Sequence, residues 1–230
     1  MMEVKLTRYT KAPLEAIEEA ACNCYDSDPM GGKIAKGCIR SGHLSVTEFA
    51  DFTFHISGVS RALLAQLTRH RVASFAVRSQ RYCSEGDFDF VVPDSVLKNE
   101  DTKVIYESLM GHINSMYKTL QSYGIPNEDA RMVLPNACNT VIEVKMNFRE
   151  LMHFFNERLC TRAQWEIREL AKAMRDEVLK VAPELKSFCV PKCEMYGKYK
   201  FCTEHKSCGR SPKLSDIYSI YDQYKNVKTP

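Results

Sequence analysis

The sequence predicts an α+β fold, on three observations. Phe52-Thr53-Phe54-His55-Ile56-Ser57 alternates strictly between apolar and polar side chains, as a half-buried strand does. Ile142-Glu143-Val144-Lys145-Met146 alternates in the same way. Around these strands the period changes to three and four, the mark of amphipathic helices, so neither an all-helical nor an all-strand chain fits. Residues 1–182 are expected to form a single domain, a twisted, mostly antiparallel sheet flanked by helices, and residues 183–230 a Cys-rich C-terminal extension.

Each element has its own signal. Pro13 suits a first helical position, and Leu14, Ile17 and Ala21 follow at helical spacing, predicting a short helix over residues 13–22. Pro29-Met30-Gly31-Gly32 reads as a loop, after which comes the first strand. From Val59 a helical stripe runs through Ala62, Leu63, Gln66 and Leu67 and delivers Arg69 at its end. A long helix is predicted over residues 102–123, with Ile105, Leu109, Ile113, Met116 and Leu120 on its buried face. Gly124-Ile125-Pro126 closes it, and Asn127 is expected to cap a short helix. Asn147 with Glu150 three residues on resembles a capping box opening another helix. Two helices should fill residues 148–181: Leu151, Phe154, Phe155 and Leu159 form the apolar face of the first, and Ile167, Leu170, Ala171, Met174, Val178 and Val181 that of the second. Beyond Pro183 the periodicity fades.

Composition narrows the function. Among 230 residues, 32 basic and 29 acidic side chains leave a net charge of +3, too weak for a polyanion-binding surface, so any anion site is local. No run approaches the ~18 apolar residues of a spanning helix, and Met1-Met2-Glu3-Val4-Lys5 leads into no signal-peptide core. A cytoplasmic protein is expected, without membrane or nucleic-acid partners, its ten cysteines reduced. Cys189, Cys193, Cys202 and Cys208, with His205 nearby, have the donor types of a tetrahedral zinc site, but at irregular spacing. Reduced thiols packed in a tail are the favoured reading, and no metal ligand is assigned.

Between Arg69 and Arg81 lie four arginines, one histidine and no acidic residue. Guanidinium forks among apolar neighbours suit phosphate or carboxylate recognition; arginines of a solvated face paired with distant carboxylates would look the same. The arrangement is more specific than the composition. Arg69-His70-Arg71, seven intervening residues and then Ser79 resembles the signature of the flavin-dependent thymidylate synthases, here continued as Ser79-Gln80-Arg81-Tyr82. The resemblance extends in order through Gly42-His43, Glu48, Phe52-Thr53-Phe54-His55, Gln66, Ala130-Arg131-Met132-Val133-Leu134-Pro135, Asn147, Arg149, Arg158 and Ala163-Gln164-Trp165-Glu166.

That resemblance implies flavin adenine dinucleotide (FAD) held between subunits of a homotetramer by His43, Ser45, Glu48, Arg69, His70, Arg71, Asn147, Arg149 and His153. It implies 2′-deoxyuridine 5′-monophosphate (dUMP) on Gln66, Arg69, Ser79, Gln80, Arg81, Arg131 and Arg158. Methylenetetrahydrofolate would donate the one-carbon unit, and FAD, recharged by a nicotinamide cofactor taken to be NADPH, the electrons. Arg158 would be the catalytic residue, stabilising the ionised uracil. Its spacing from Leu151, Phe154 and Phe155 puts it on the apolar face of its helix, whereas Arg149, His153 and Asn156 would form a polar stripe. Ser79 is assigned to binding, because no histidine or lysine stands at an activating local spacing. Three positions depart from the commoner pattern: Val77 replaces an acidic residue, His153 an asparagine and Ser45 a threonine. The alternative is a noncatalytic nucleotide- or RNA-binding module using the same arginines.

Overall fold

The structure, a computed structural model, describes residues 2–225, which divide into two compact units interleaved along the chain. Residues 2–8 and 52–146 make one unit, and residues 9–51 and 147–225 the other.

The first unit is built on a four-stranded antiparallel sheet in the order β1-β2-β4-β3, with β1 at Glu3–Tyr9, β2 at Asp51–Ser60, β3 at Ala73–Val77 and β4 at Asn139–Asn147. The α+β expectation therefore holds. Alternation explains β2: Phe52, Phe54 and Ile56 are fully buried, whereas His55 faces out and its Nδ1 lies 2.6 Å from Glu143 Oε1 on β4. In the same way β4 buries Ile142, Val144 and Met146 and exposes Glu143 and Lys145. Strand β3 pairs with it antiparallel, Ala73 opposite Met146 and Val77 opposite Ile142.

In the second unit, α1 (Pro13–Tyr25) and α2 (Lys33–Arg40) precede a 3-10 turn at Ser45–Phe49. Glu18 on α1 is buried, and its carboxylate accepts the backbone N–H groups of Gly32 (2.6 Å) and Ile34 (2.9 Å) at the start of α2. Gly32 is required there: its φ is +82°, and an added Cβ would stand 2.5 Å from Leu14 Cδ2.

The sheet strand ends where a helix begins at Ser60, whose hydroxyl accepts the Leu63 N–H at 3.0 Å and caps α3 (Arg61–Leu67). Val59 is thus a buried residue of β2, not the first of a helical stripe. After α4 (Asp94–Leu97) comes α5 (Glu100–Ser122), close to the predicted bounds but turned about its axis. Met110 and Tyr117 face inward, while Ile105 (68% exposed), Leu109 (52%) and Met116 (55%) face out. Hydrogen bonds decide the rotation. Tyr106 Oη donates to the Val91 carbonyl at 3.0 Å, Asn114 Oδ1 accepts the Asp87 N–H at 2.9 Å and Tyr117 Oη accepts the Glu85 N–H at 3.1 Å. These groups recur along one face, and together they satisfy a loop backbone that would otherwise lack partners. The short helix α6 (Asn127–Ala130) has Pro126 at its cap position; Asn127 is inside it and accepts Gln121 Nε2 at 2.7 Å, so it is not the cap.

In the second unit α7 (Phe148–Arg158) opens as the capping box predicts, with Asn147 Oδ1 accepting the Glu150 N–H at 3.0 Å. Leu151, Phe154, Phe155 and Leu159 are buried as expected, as are Ile167, Leu170, Ala171, Met174 and Val178 on α8 (Trp165–Val181). Val181 departs from that face, being 37% exposed where the helix ends. The tail is less featureless than its fading periodicity suggests, closing with α9 (Leu214–Lys225). Among the described residues no helix is long and apolar enough to cross a membrane.

Candidate active site

In the first unit, β3 divides the arginine segment. Arg69, His70 and Arg71 leave the C-terminus of α3, where Gln66 occupies the last turn, and Ser79, Gln80 and Arg81 follow the far end of β3. At about 3.3 Å per extended residue, the five residues of β3 set its two ends about 13 Å apart. The segment therefore presents cationic groups at both ends of the strand. His70 is buried at 3% exposure, whereas Arg69 and Arg71 are exposed and, among the described residues, lack a carboxylate within ion-pair distance.

At the far end Ser79 organises a tight turn. Its hydroxyl oxygen accepts the N–H groups of Arg81 (3.2 Å) and Tyr82 (3.4 Å), and its carbonyl accepts that of Cys83 (2.9 Å). Arg81 Nε donates to Glu128 Oε2 at 2.5 Å, its guanidinium lies 5.3 Å from the Tyr82 ring centroid, and Arg131 Nε donates to the Glu128 carbonyl at 3.1 Å. Glu128, unmarked in the sequence reading, thus gathers Arg81 and Arg131 beside Ser79 and Gln80. Its only sequence signal is an acidic residue in the helical turn just before Arg131.

A polar network that the sequence did not disclose adjoins this turn. Gln80 Nε2 reaches Cys138 Sγ at 3.7 Å, and Arg78 Nε donates to the buried Glu85 at 3.2 Å. Burial and the Glu85 charge push the Cys138 thiol up to about 11, so it is a neutral packing group and not a nucleophile. Arg61 donates through Nη2 to the Arg78 carbonyl at 2.7 Å, but among the described residues its buried Nε has no hydrogen-bond partner, nor have the buried Asn139 Oδ1 and Thr140 Oγ1. Burial lowers the Arg61 guanidinium; Cys138 and Glu85 oppose that shift, and Arg131 and Arg78 add to it. Val77, half-buried, pairs with the fully buried Ile142 across the β3–β4 ladder, an apolar pair where the commoner pattern has a carboxylate.

In the second unit, His43 follows α2, and Ser45 and Glu48 lie on the 3-10 turn. Glu48 Oε1 accepts Arg149 Nη1 at 2.6 Å, joining that turn to α7; both side chains are about half exposed. Helix α7 displays Arg149 and His153 one turn apart on its exposed side, as expected. Asn156 departs from that stripe: its Oδ1 is buried, with no hydrogen-bond partner among the described residues. Burial raises the Glu150 carboxyl, and nearby His153 opposes the shift. Arg158 occupies the last turn, half-buried, rather than fully enclosed by its apolar neighbours.

The first unit thus brings Arg81 and Arg131 together at Glu128, and the second carries Arg149 and His153 on the exposed side of α7; guanidinium forks of this kind suit phosphate or carboxylate oxygens. The family model described as thymidylate synthase complementing protein matches residues 5–184. The flavin-dependent thymidylate synthase of Geobacter sulfurreducens is 44% identical over 231 residues, spanning 94% of this chain and 98% of that one. The Nitratidesulfovibrio vulgaris enzyme of the same name is 39% identical, over 91% and 95%. Among solved structures, the Helicobacter pylori flavin-dependent thymidylate synthase complexed with FAD and dUMP superposes with a TM-score of 0.68 at 27% identity, covering 82% of this chain and 99% of that one. A UMP/dUMP methylase from Streptomyces cacaoi bound with 5-Br dUMP gives 0.67 at 25% identity, over 79% and 91%. The chain belongs to the flavin-dependent thymidylate synthase family.

Proposed function

We propose that this chain converts dUMP to dTMP, taking a one-carbon unit from methylenetetrahydrofolate and electrons from FAD that NADPH keeps reduced. The observation that carries the reading is the meeting of Arg81 and Arg131 at Glu128 next to the Ser79 turn, because Ser79, Gln80, Arg81 and Arg131 match the family's nucleotide-binding set. Gln66, Arg69 and Arg158 complete the substrate set that holds dUMP. Arg158 draws negative charge onto the uracil ring and so raises the nucleophilicity of the carbon that is methylated. Ser79 positions the nucleotide, its hydroxyl being engaged by two backbone N–H groups.

The donor set fits a flavin dinucleotide. Arg69 and Arg71, free of carboxylate partners among the described residues, suit its diphosphate, and His43, Ser45, Glu48, His70, Asn147, Arg149 and His153 supply further polar contacts. When bound, FAD supplies the reduction; the protein orients the reactants and excludes water. A homotetramer with FAD between subunits, as the resemblance implies, accords with the placement of Arg71 and Ser79 at opposite ends of β3. Residues 1–182 form the catalytic domain and 183–230 an extension, a division supported by the family match ending at residue 184. The enzyme works in the cytoplasm without nucleic-acid or membrane partners, a reading supported by ten free cysteines and the weak net charge. An RNA-binding module using the same arginines is not favoured, since the relatives named above are enzymes by name. Tritium released from C5-labelled dUMP, dependent on FAD and methylenetetrahydrofolate, tests the proposal, and its absence would overturn it.

A further inference from the structure

We propose that Cys160, Cys193, Cys202 and Cys208 bind one zinc ion, a structural tetrathiolate centre that fastens the C-terminal extension to the loop following α7. All four side chains, from three separate segments, wall a single cavity of about 10 Å³ in the second unit. That is room for one ion or water and excludes an organic ligand. Four sulfurs with no oxygen-rich shell select zinc over calcium or magnesium.

The surroundings match the charge such a centre would carry. Four thiolates around Zn²⁺ leave a net charge of −2, and Arg162, Lys192, Lys206 and Arg210 line the same cavity against the single carboxylate of Glu204. Lys192 and Glu204 pair at 2.6 Å. Thr161 and Arg210 neighbour the Cys208 sulfur, placed as outer contacts that orient a metal-bound thiolate are. Gly209, at φ +84°, makes the turn that brings Arg210 back onto it.

The backbone holds these segments in place with few regular elements. Cys202 N–H donates to the Pro212 carbonyl at 2.7 Å, Leu214 N–H to the Cys202 carbonyl at 3.0 Å and Phe201 N–H to the Cys193 carbonyl at 3.2 Å. A long irregular segment of this kind gains most from a cross-link. Among the described residues no three of the sulfurs lie within 4.8 Å of one another, so forming Zn–S bonds of about 2.3 Å draws the 202–210 loop inward. Binding displaces the thiol protons, up to four per zinc, to solvent.

The set differs from the one that sequence spacing suggested. Cys189 is 2% exposed, packed away from the cavity with burial holding its thiol up at about 12, and His205 does not line the cavity. Cys160 takes the fourth place from a position 29 residues before Cys189. It also stands two residues after Arg158, so the ion fixes the end of the helix that carries that arginine. This last consequence rests on the role proposed for Arg158, whereas the metal content does not.

The test is elemental analysis of the full chain, produced without an affinity tag in zinc-supplemented medium, together with Co²⁺ substitution. One zinc per chain is expected, and the cobalt form should show intense thiolate-to-metal charge transfer with the visible bands of a tetrahedral site. Cys160→Ser and Cys208→Ser should each weaken zinc binding at least tenfold, while Cys24→Ser, on α1, leaves it unchanged. Chelation of the wild-type chain should speed proteolysis within residues 193–213. Absence of stoichiometric zinc in the wild type, full zinc retention in both serine variants, or a cobalt spectrum without charge transfer would each overturn the site. Should a variant not fold, the wild-type cobalt spectrum still decides. Zinc-free protein that releases tritium from dUMP would refute the metal site alone; zinc-loaded protein that does not would refute the enzymatic reading alone.

Discussion

Arg158, half-buried in the last turn of α7, is the side chain on which the proposed chemistry depends most. A positioned cation at developing charge contributes about 10²–10³-fold to turnover, so Arg158→Ala should lower kcat by that factor with the fold retained, as read by circular dichroism. Ser79 should behave differently. With its hydroxyl occupied by the turn it stabilises, Ser79→Ala should raise KM for dUMP about tenfold and leave kcat within about tenfold, the split expected of a binding group. A complete loss of turnover would restore Ser79 as a nucleophile. Glu18 offers a prediction about pH. Burial alone would raise its carboxyl above the ordinary 4.5, but the backbone N–H groups of Gly32, Ile34, Met30 and Ala35 outweigh that and hold it lower. A lowered carboxylate contributes stability that is full above its unfolded pKa and lost as pH falls through the folded value. Thermal unfolding of Glu18→Gln should therefore show a lower Tm near neutrality and a shallower decline below about pH 4.5.

At the scale of elements, the capping box at Asn147 is the clearest case of sequence dictating structure. Replacing Asn147 by Ala removes the acceptor for the Glu150 N–H and should cost about 1 kcal/mol in denaturant unfolding, most of which Asn147→Asp should recover. Strands β2 and β4 were equally legible, since a half-buried face imposes alternation on its own residues. Strand β3 was not: Ala73–Val77 carries no local signal that outweighs the charged flanks, and its extended form comes from pairing with β4. The orientation of α5 escaped periodicity for a different reason. Tyr106, Asn114 and Tyr117 face inward to satisfy the 85–91 loop, and a hydrophobic count cannot register that demand. The site shows the same division. Arg69-His70-Arg71 and Ser79-Gln80-Arg81 are contiguous and could be read, whereas Glu128 and Arg61 join them only through the fold.

At the scale of the whole molecule, the exposed stripe Val104, Ile105, Leu109 and Met116 on α5 is an apolar surface of the kind that subunit contacts cover. It accords with a homotetramer, and Leu109→Glu with Met116→Glu should reduce the assembly to smaller species, measured by light scattering after gel filtration. Activity should fall with it, because the proposed homotetramer holds FAD between subunits. The central claim, that these residues serve dTMP synthesis, is tested most directly by tritium release from C5-labelled dUMP, with FAD, NADPH and methylenetetrahydrofolate supplied or withheld in turn. The account predicts release that requires all three and falls at least about 10²-fold in Arg158→Ala. No release from the complete mixture, accompanied by salt-sensitive binding to oligonucleotides, would contradict it.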